Sequence, residues 1–438
     1  MRAHQLEFKL HDGDLLEEIC ELHNLEAAFK LVKNNKGAPG IDGITIDMYE
    51  ENLDQELRQL RQEVMSWVYK PTPVKRVEIP KPDGKGVRLL GIPIIKDRTF
   101  HMAIKRVLEP LLEPTFSEHS YGFRPGRNQR QAIEAARDIV KTGKEYVVDI
   151  DLSKFFDRIH HDRLIQRLGQ HVKDRRVLRL IGMILRSGIM SKEGLTVPTE
   201  GSVQGSPLSP LLSNVVLDEL DKELERRGLE FCRYADDCNI FVKTEKSAVR
   251  VMGSIKKFIE NKLKLKINEE KSKVTKSDRV KFLGMTIVNG LISISKVAFN
   301  KAMKKITLLI PRGSHLPIEK AIDQFNIWYR GWGSYFSMTQ FPAQLKAIEA
   351  HARRRFRARF VKQQKRSRFL VRKLNTLGIP KKQAQRTAYS NRGPWKLSHT
   401  RAIEQAYSNR WFAGIGMLIL SEQKLKGWQP VTEWVKLI

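Results

Sequence analysis

The chain has 438 residues, 41% of them hydrophobic, and a formal net charge of +30. That length exceeds an ordinary single-core domain and predicts about two to four subdomains, and the hydrophobic content excludes a disordered chain. The charge goes far beyond what solubility needs and predicts a polyanionic partner. Cys20, Cys232 and Cys238 show no paired spacing, which argues for a reducing compartment and against structural zinc or disulfides. No apolar run approaches the roughly 20 residues of a spanning helix and no signal-peptide pattern opens the chain, so a cytoplasmic protein without a membrane partner is expected.

Residues 1–13 are poorly patterned, after which Asp14 to Val32 reads as helical and stops before a loop containing Gly37 and Gly40. Lys81 and Arg88 stand on either side of a turn, Pro82-Asp83-Gly84-Lys85-Gly86, which predicts a hairpin with a cation on each arm. Ser120-Tyr121-Gly122-Phe123-Arg124-Pro125-Gly126-Arg127 follows. The β-branched run in Tyr146-Val147-Val148-Asp149-Ile150-Asp151 predicts a strand with Asp149 and Asp151 on one face. Thr199 to Asn214, rich in Gly and Pro, predicts a loop entering a helix near Pro210.

Tyr234-Ala235-Asp236-Asp237 lies between two short apolar runs that read as the arms of a hairpin, with the acidic pair at its turn. Adjacent anions repel, and bound divalent cations would relieve them. An isolated Asp-Asp is by default a solvated turn. A third carboxylate from the upstream strand would complete the cradle with which nucleotidyl transfer holds two Mg2+ ions roughly 3.5–4 Å apart.

Ile287-Val288-Asn289-Gly290-Leu291-Ile292 predicts an Asn-Gly hairpin, after which helices take over. No acidic residue occurs from 350 to 403, and Leu345, Ile348, Ala352, Phe356 and Phe360 form an apolar stripe at helical spacing. That stripe is expected to face the protein, leaving Arg353, Arg354 and Arg357 for phosphates, with binding that falls steeply with salt. A basic helix lying on an anionic membrane is disfavoured because its charge outweighs its apolar stripe.

Taken in this order, the segments resemble the reverse transcriptases of bacterial group II introns, also called maturases, most closely subgroup C. The blocks carrying the likeness are Asn35 to Gly43, Arg76 to Pro93, Ser120 to Arg127, the Asp151 strand, the Gln204-Gly205 loop, the Tyr234 hairpin, Leu265 to Ser272 and Lys281-Phe282-Leu283-Gly284. The resemblance implies an α+β right-hand polymerase: an N-terminal extension over 1–45, fingers and palm over 46–293, a helical thumb over 294–373 and a DNA-binding domain over 374–438. It implies Asp151, Asp236 and Asp237 as catalytic metal ligands for two Mg2+, with the Leu152 carbonyl as a further ligand. Asp149 competes with Asp151, and the family's bulky aromatic five residues beyond its catalytic Asp favours Asp151, because Phe156 fills that place.

Phe156 would exclude a 2′-hydroxyl, whereas Phe155 reads as core. Lys81 and Arg88 would reach the triphosphate of the incoming dNTP, Gln204 would pack beside it, Lys271 would stand near the leaving pyrophosphate, and Arg124 and Arg127 would touch template backbone. The implied partners are group II intron RNA, an RNA template with a DNA or RNA primer, target DNA and dNTPs, in a nucleoid-associated setting. No zinc-associated endonuclease domain is read in the chain, so retrohoming would rely on exposed single-stranded or hairpin DNA, or on a replication-fork primer. The alternatives are a reverse transcriptase recruited to DNA repair or defence, and an RNA-binding splicing factor with a silent polymerase site. One departure stands out: the family usually has Pro-Gln-Gly-Gly where this chain reads Val203-Gln204-Gly205-Ser206. Losing proline frees a φ angle, and Ser206 adds a Cβ where glycine could adopt positive φ, so rate, fidelity and nucleotide affinity are the properties expected to change.

Overall fold

The computed structural model describes residues 14–80 and 86–422. The chain forms two compact units, one of residues up to 132 with 144–275, the other of 133–143 with 276 onward. The split falls earlier than the end of the expected palm, so the Asn-Gly hairpin goes with the helices. Among the described residues no helix is long and apolar enough to cross a membrane.

The first unit holds two four-stranded sheets. One has the order β2-β1-β4-β5, from β1 (Val74–Pro80), β2 (Val87–Ile92), β4 (Ile189–Ser191) and β5 (Gly194–Thr196). The other has the order β6-β7-β3-β8, from β3 (Tyr146–Ile150), β6 (Glu230–Tyr234), β7 (Asp237–Val242) and β8 (Lys273–Lys276). Val148, Ile150 and Leu152, with Cys238, Ile240 and Val242, point into one core shared with helices Ile95–Leu112 and Ser209–Arg226. Because side chains alternate along a strand, Asp149, Asp151, Asp237 and Asn239 are left on the opposite face. Each such apolar side chain contributes about 1.5–3 kcal/mol on full burial. A one-residue slip would drive the aspartates into that core, so the register is firmly set. The expected N-terminal helix is two, Leu15–Cys20 and Leu22–Asn34, because Glu21 adopts an extended ψ of 135° between them.

In the second unit β9 (Met285–Val288) and β10 (Leu291–Ile294) form the Asn-Gly hairpin, with φ of 50° at Asn289 and 69° at Gly290 as a primed turn requires. Ile292 N and Ile294 N each donate to a glutamine side chain at 2.9 Å, Gln340 and Gln344 respectively, which satisfies the hairpin edge from the helical region. The stripe Leu345, Ile348, Ala352, Phe356 and Phe360 is buried in the helical core.

The arginines beside that stripe depart from expectation. From His351 to Val361 every residue of helix Pro342–Gln363 is buried or half-buried, and Arg353 and Arg357 are each only 7% exposed. Arg357 Nε donates to Tyr407 O at 2.9 Å, and Arg353 stands 4.0 Å from Glu349. Arg354 lies over the Trp395 ring at 4.1 Å. Neighbouring Arg355 donates to Ile310 O at 2.9 Å and Thr307 O at 3.1 Å, capping the end of helix Lys296–Leu309. Arg353 and Arg357 therefore serve the fold through internal contacts. Among the exposed cations of this unit is a run further on, Lys365, Arg366, Arg368, Arg372, Lys373 and Lys381.

Candidate active site

Strands β6 and β7 pair down to Tyr234 opposite Asp237, leaving Ala235-Asp236 as a two-residue turn. Ala235 has φ of 55°, the left-handed conformation such a turn demands and one that alanine adopts only at a cost of about 1–3 kcal/mol. Arg233, behind the turn, holds it. Its Nη1 donates to Ala235 O at 2.9 Å and to Asn214 Oδ1 at 3.1 Å, while Nε and Nη2 grip Asp221 at 2.7 and 2.5 Å. From the other side Gly122 presses so close that a Cβ there would lie 2.2 Å from Ala235 N. The Ser120–Arg127 block thus braces the acidic turn, and only glycine fits at 122.

Strand β3 runs antiparallel to β7 with Asp149 opposite Asn239 and Ile150 opposite Cys238. One further step in that register sets Asp151 across from Asp237, next to the turn that carries Asp236. Asp149 faces an amide instead. Asp151 O accepts from Asn268 N and Ser153 N donates to Lys266 O, both at 2.8 Å. Successive backbone groups alternate sides, so the Leu152 carbonyl is turned toward the β7 side. Asp151 N donates to Ser272 Oγ at 3.0 Å, and Lys271 Nζ stands 3.5 Å from Asp151 Oδ2. Burial raises the Asp236 carboxyl above its ordinary value, and the negative charge of Asp151 adds to that.

These hard carboxylate oxygens on adjoining strand ends match the donors Mg2+ takes, with waters and substrate phosphates as its other ligands. Among the described residues no three His, Cys, Asp or Glu side chains close into a ready cage. Like charges hold one another off, so the fit rests on register and donor type.

Lys154 and Phe156, which follow Asp151 in the chain, help line a pocket of about 300 Å³ together with Arg76, Gly91, Val203 and Gln204 among others, within the size range of small-molecule sites. Phe156 stacks edge-on against Phe155 at 5.1 Å, and Phe155 is core. Gln204 O accepts from Gly91 N at 2.8 Å, tying its loop to β2. Gly205 takes φ of 128°, and a Cβ there would strike Gly91 O at 2.3 Å. Ser206 is not among the positive-φ residues, so its Cβ meets no backbone penalty. Val203 packs where a Cβ on Gly91 would lie, 2.2 Å from Val203 Cγ1.

Two expectations for this pocket change. Arg88 is paired with Ile79, on the face of the β1–β2 hairpin opposite to Arg76, Leu89 and Gly91, so strand alternation turns it away. Arg76 takes the place, and the alternation of residues 74–80 was the signal that could have found it. Lys81 lies outside the described residues. Arg124, 7% exposed, is committed to Glu113 and to the carbonyls of Ser117 and Ser120, which leaves no fork for template backbone. Arg127 binds Glu118 and lies 5.5 Å from the centre of the Tyr121 ring.

Residues 79–287 match the family described as reverse transcriptase (RNA-dependent DNA polymerase). Residues 299–378 match the group II intron, maturase-specific domain. The chain is 33% identical over 315 residues to protein YkfC of Escherichia coli K12, covering 63% of this chain and 82% of that protein. It is 29% identical over 353 residues to the group II intron-encoded protein LtrA of Lactococcus lactis, covering 65% of this chain and 59% of LtrA. A putative COX1/OXI3 intron 2 protein of Saccharomyces cerevisiae is 32% identical over 216 residues, 49% of this chain and 25% of that protein. With the acidic strand ends, the glycine-bound loop and both matched domains on one polypeptide, the chain belongs to the reverse transcriptases and maturases encoded by group II introns.

Proposed function

We propose that this reverse transcriptase extends a DNA or RNA primer on an RNA template through Asp151, Asp236 and Asp237, and that its maturase region binds group II intron RNA to assist splicing and retrohoming into target DNA. The register that sets Asp151 opposite Asp237, beside Asp236, is the observation that carries the reading. Two Mg2+ ions held by these carboxylates and the Leu152 carbonyl would activate the primer hydroxyl and neutralise the triphosphate. Lys271 keeps a cationic proton donor beside Asp151, on the side where pyrophosphate leaves. Arg76 and Lys154 supply charge for the triphosphate, and Gln204 flanks the nucleotide. Primer extension with dNTPs and Mg2+ on an RNA template, with a DNA template alongside, is the test. A folded protein that extends neither would end the reading.

Phe156 fills the floor where a ribose 2′-hydroxyl would sit. Phe156→Val is expected to raise ribonucleotide incorporation relative to deoxynucleotide by about tenfold or more, about 1.4 kcal/mol of lost discrimination. Single-nucleotide extension with paired dNTP and rNTP series reads this directly, and an unchanged ratio removes Phe156 from sugar selection.

Because Arg353 and Arg357 are internal, we assign nucleic-acid contact to the exposed cations of helices Ser367–Thr376 and Lys381–Ala388. Changing Arg366, Arg368, Arg372 and Lys373 to glutamine is expected to weaken RNA binding and to reduce the log–log salt slope by about 0.7 for each single-strand phosphate no longer neutralised. A slope equal to that of the unmodified protein would place the RNA elsewhere. The fourfold division into 1–45, 46–293, 294–373 and 374–438 remains our functional assignment, and a nucleoid-associated cytoplasmic setting follows from the proposed substrates.

A further inference from the structure

The loop that carries Gln204 differs from its family on both flanks, and one of the changed residues has found a buried partner. Ser206 Oγ lies 3.0 Å from His101 Nδ1, with the two residues 7% and 3% exposed. His101 belongs to helix Ile95–Leu112, which begins directly after the β2 strand that anchors the loop. Its other ring nitrogen, Nε2, has no hydrogen-bond partner among the described residues, so the bond to Ser206 is made at Nδ1 alone. The same Oγ accepts from Leu208 N at 3.3 Å, at the entry to helix Ser209–Arg226. Opposite, the Gln204 carbonyl is held by Gly91 N at 2.8 Å. Gln204 and the residues just before it, Gly201 to Val203, line the nucleotide pocket, and Ser206 stands two residues beyond Gln204, behind that lining.

We infer that Ser206 and His101 form a positioning pair for the incoming nucleotide, their hydrogen bond pinning the Gln204 loop to the helix behind it. A second glycine at 206 would keep the backbone bonds Ser206 N to Val203 O and Ser209 N to Ser206 O, both 3.3 Å, but would lose the side-chain tie to His101. The imidazole stays neutral at working pH, since burial pushes it down to about 3, and Nδ1 meets the hydroxyl as acceptor or donor according to the tautomer. The inference rests on the reading of the 300 Å³ pocket as the nucleotide site.

The test is a double-mutant cycle read as the KM and kcat for dNTP in primer extension on RNA, with thermal melting of each variant. Ser206→Ala and His101→Leu are each expected to raise KM for dNTP about five- to tenfold, with kcat changed less than about twofold. Ser206→Thr, which keeps the hydroxyl, should stay near the unmodified protein. The double variant removes both polar partners together and is expected to recover part of the loss, because a buried group left alone costs more than a pair replaced by apolar groups. A tenfold coupling corresponds to about 1.4 kcal/mol. Should Ser206→Ala fail to fold, Ser206→Gly and His101→Gln carry the same comparison.

Unchanged KM in the single variants, effects that simply multiply in the double, or KM and kcat that fall together with the melting midpoint would each overturn the pair. Failure of the parent reading looks different. In that case Phe156 and Arg76 substitutions leave KM for dNTP unaltered as well, or the unmodified protein extends no primer.

Discussion

Asp236→Ala and Asp237→Ala are each expected to lower cDNA synthesis at least about a thousandfold, a loss of about 4 kcal/mol of transition-state stabilisation, while RNA binding should stay within about twofold. The two effects should separate because the proposed catalytic turn belongs to one unit and the cations assigned to RNA belong to the other. Stability gives an independent check. Burial raises the Asp236 carboxyl, and Asp151 adds repulsion, so replacing Asp236 removes an unfavourable interaction and the melting midpoint should hold or rise. Asp237 is exposed at the end of β7, so its loss should cost the fold far less than the loss of a buried residue. Primer extension, filter binding and thermal melting on the same preparations read all three. Loss of extension together with RNA binding in a protein that still melts cooperatively would show that the carboxylates also serve RNA affinity, and the division of labour would be wrong.

Local pattern was enough for the hairpins. Alternating apolar runs and a short acidic or Asn-Gly turn specify β6–β7 and β9–β10, and the register follows from which face must be buried. The choice of Asp151 over Asp149 was not in the strand itself, where both share a face; in the sequence it came from the resemblance, through Phe156, and the partner strand sets Asn239 against one and Asp237 across from the other. The arginines of helix Pro342–Gln363 show the converse. Periodicity identified the apolar stripe, but it is blind to whether the opposite face is wet. Here that face meets carbonyls at Thr307, Ile310 and Tyr407, roughly 50 residues away in sequence, and long aliphatic stems let arginine be buried while its head finds them. Arg124 escapes a sequence reading for the same reason. Arg88 is misplaced by counting charges around a turn without counting strand parity. Arg233 does carry a signal in the sequence: a guanidinium inside an apolar strand, one residue before the acidic turn, must have an acidic partner.

Arg233→Met should produce the largest change in stability of any single substitution near the turn. Arg233 and Asp221 are both 0% exposed. Although burial opposes its charge, Asp221 keeps the Arg233 guanidinium protonated. Removing it strands Asp221 in the core, which costs about 3–5 kcal/mol, a large part of the about 5–15 kcal/mol that holds a typical domain together. Asp221→Leu added to Arg233→Met removes the stranded charge, and since a buried ion pair can be exchanged for apolar residues at little or no net cost, the melting midpoint should return most of the way. Activity should not return with it. Arg233 also donates to Ala235 O and Asn214 Oδ1, and methionine offers neither bond, so the strained left-handed residue of the turn loses its tether and Asp236 its fixed direction. The expected pattern is therefore a double variant that melts near the unmodified protein yet extends primers at least about tenfold more slowly. A double variant that regains both would mean that the guanidinium only balances a charge and that the backbone of residues 234–237 holds the carboxylates unaided.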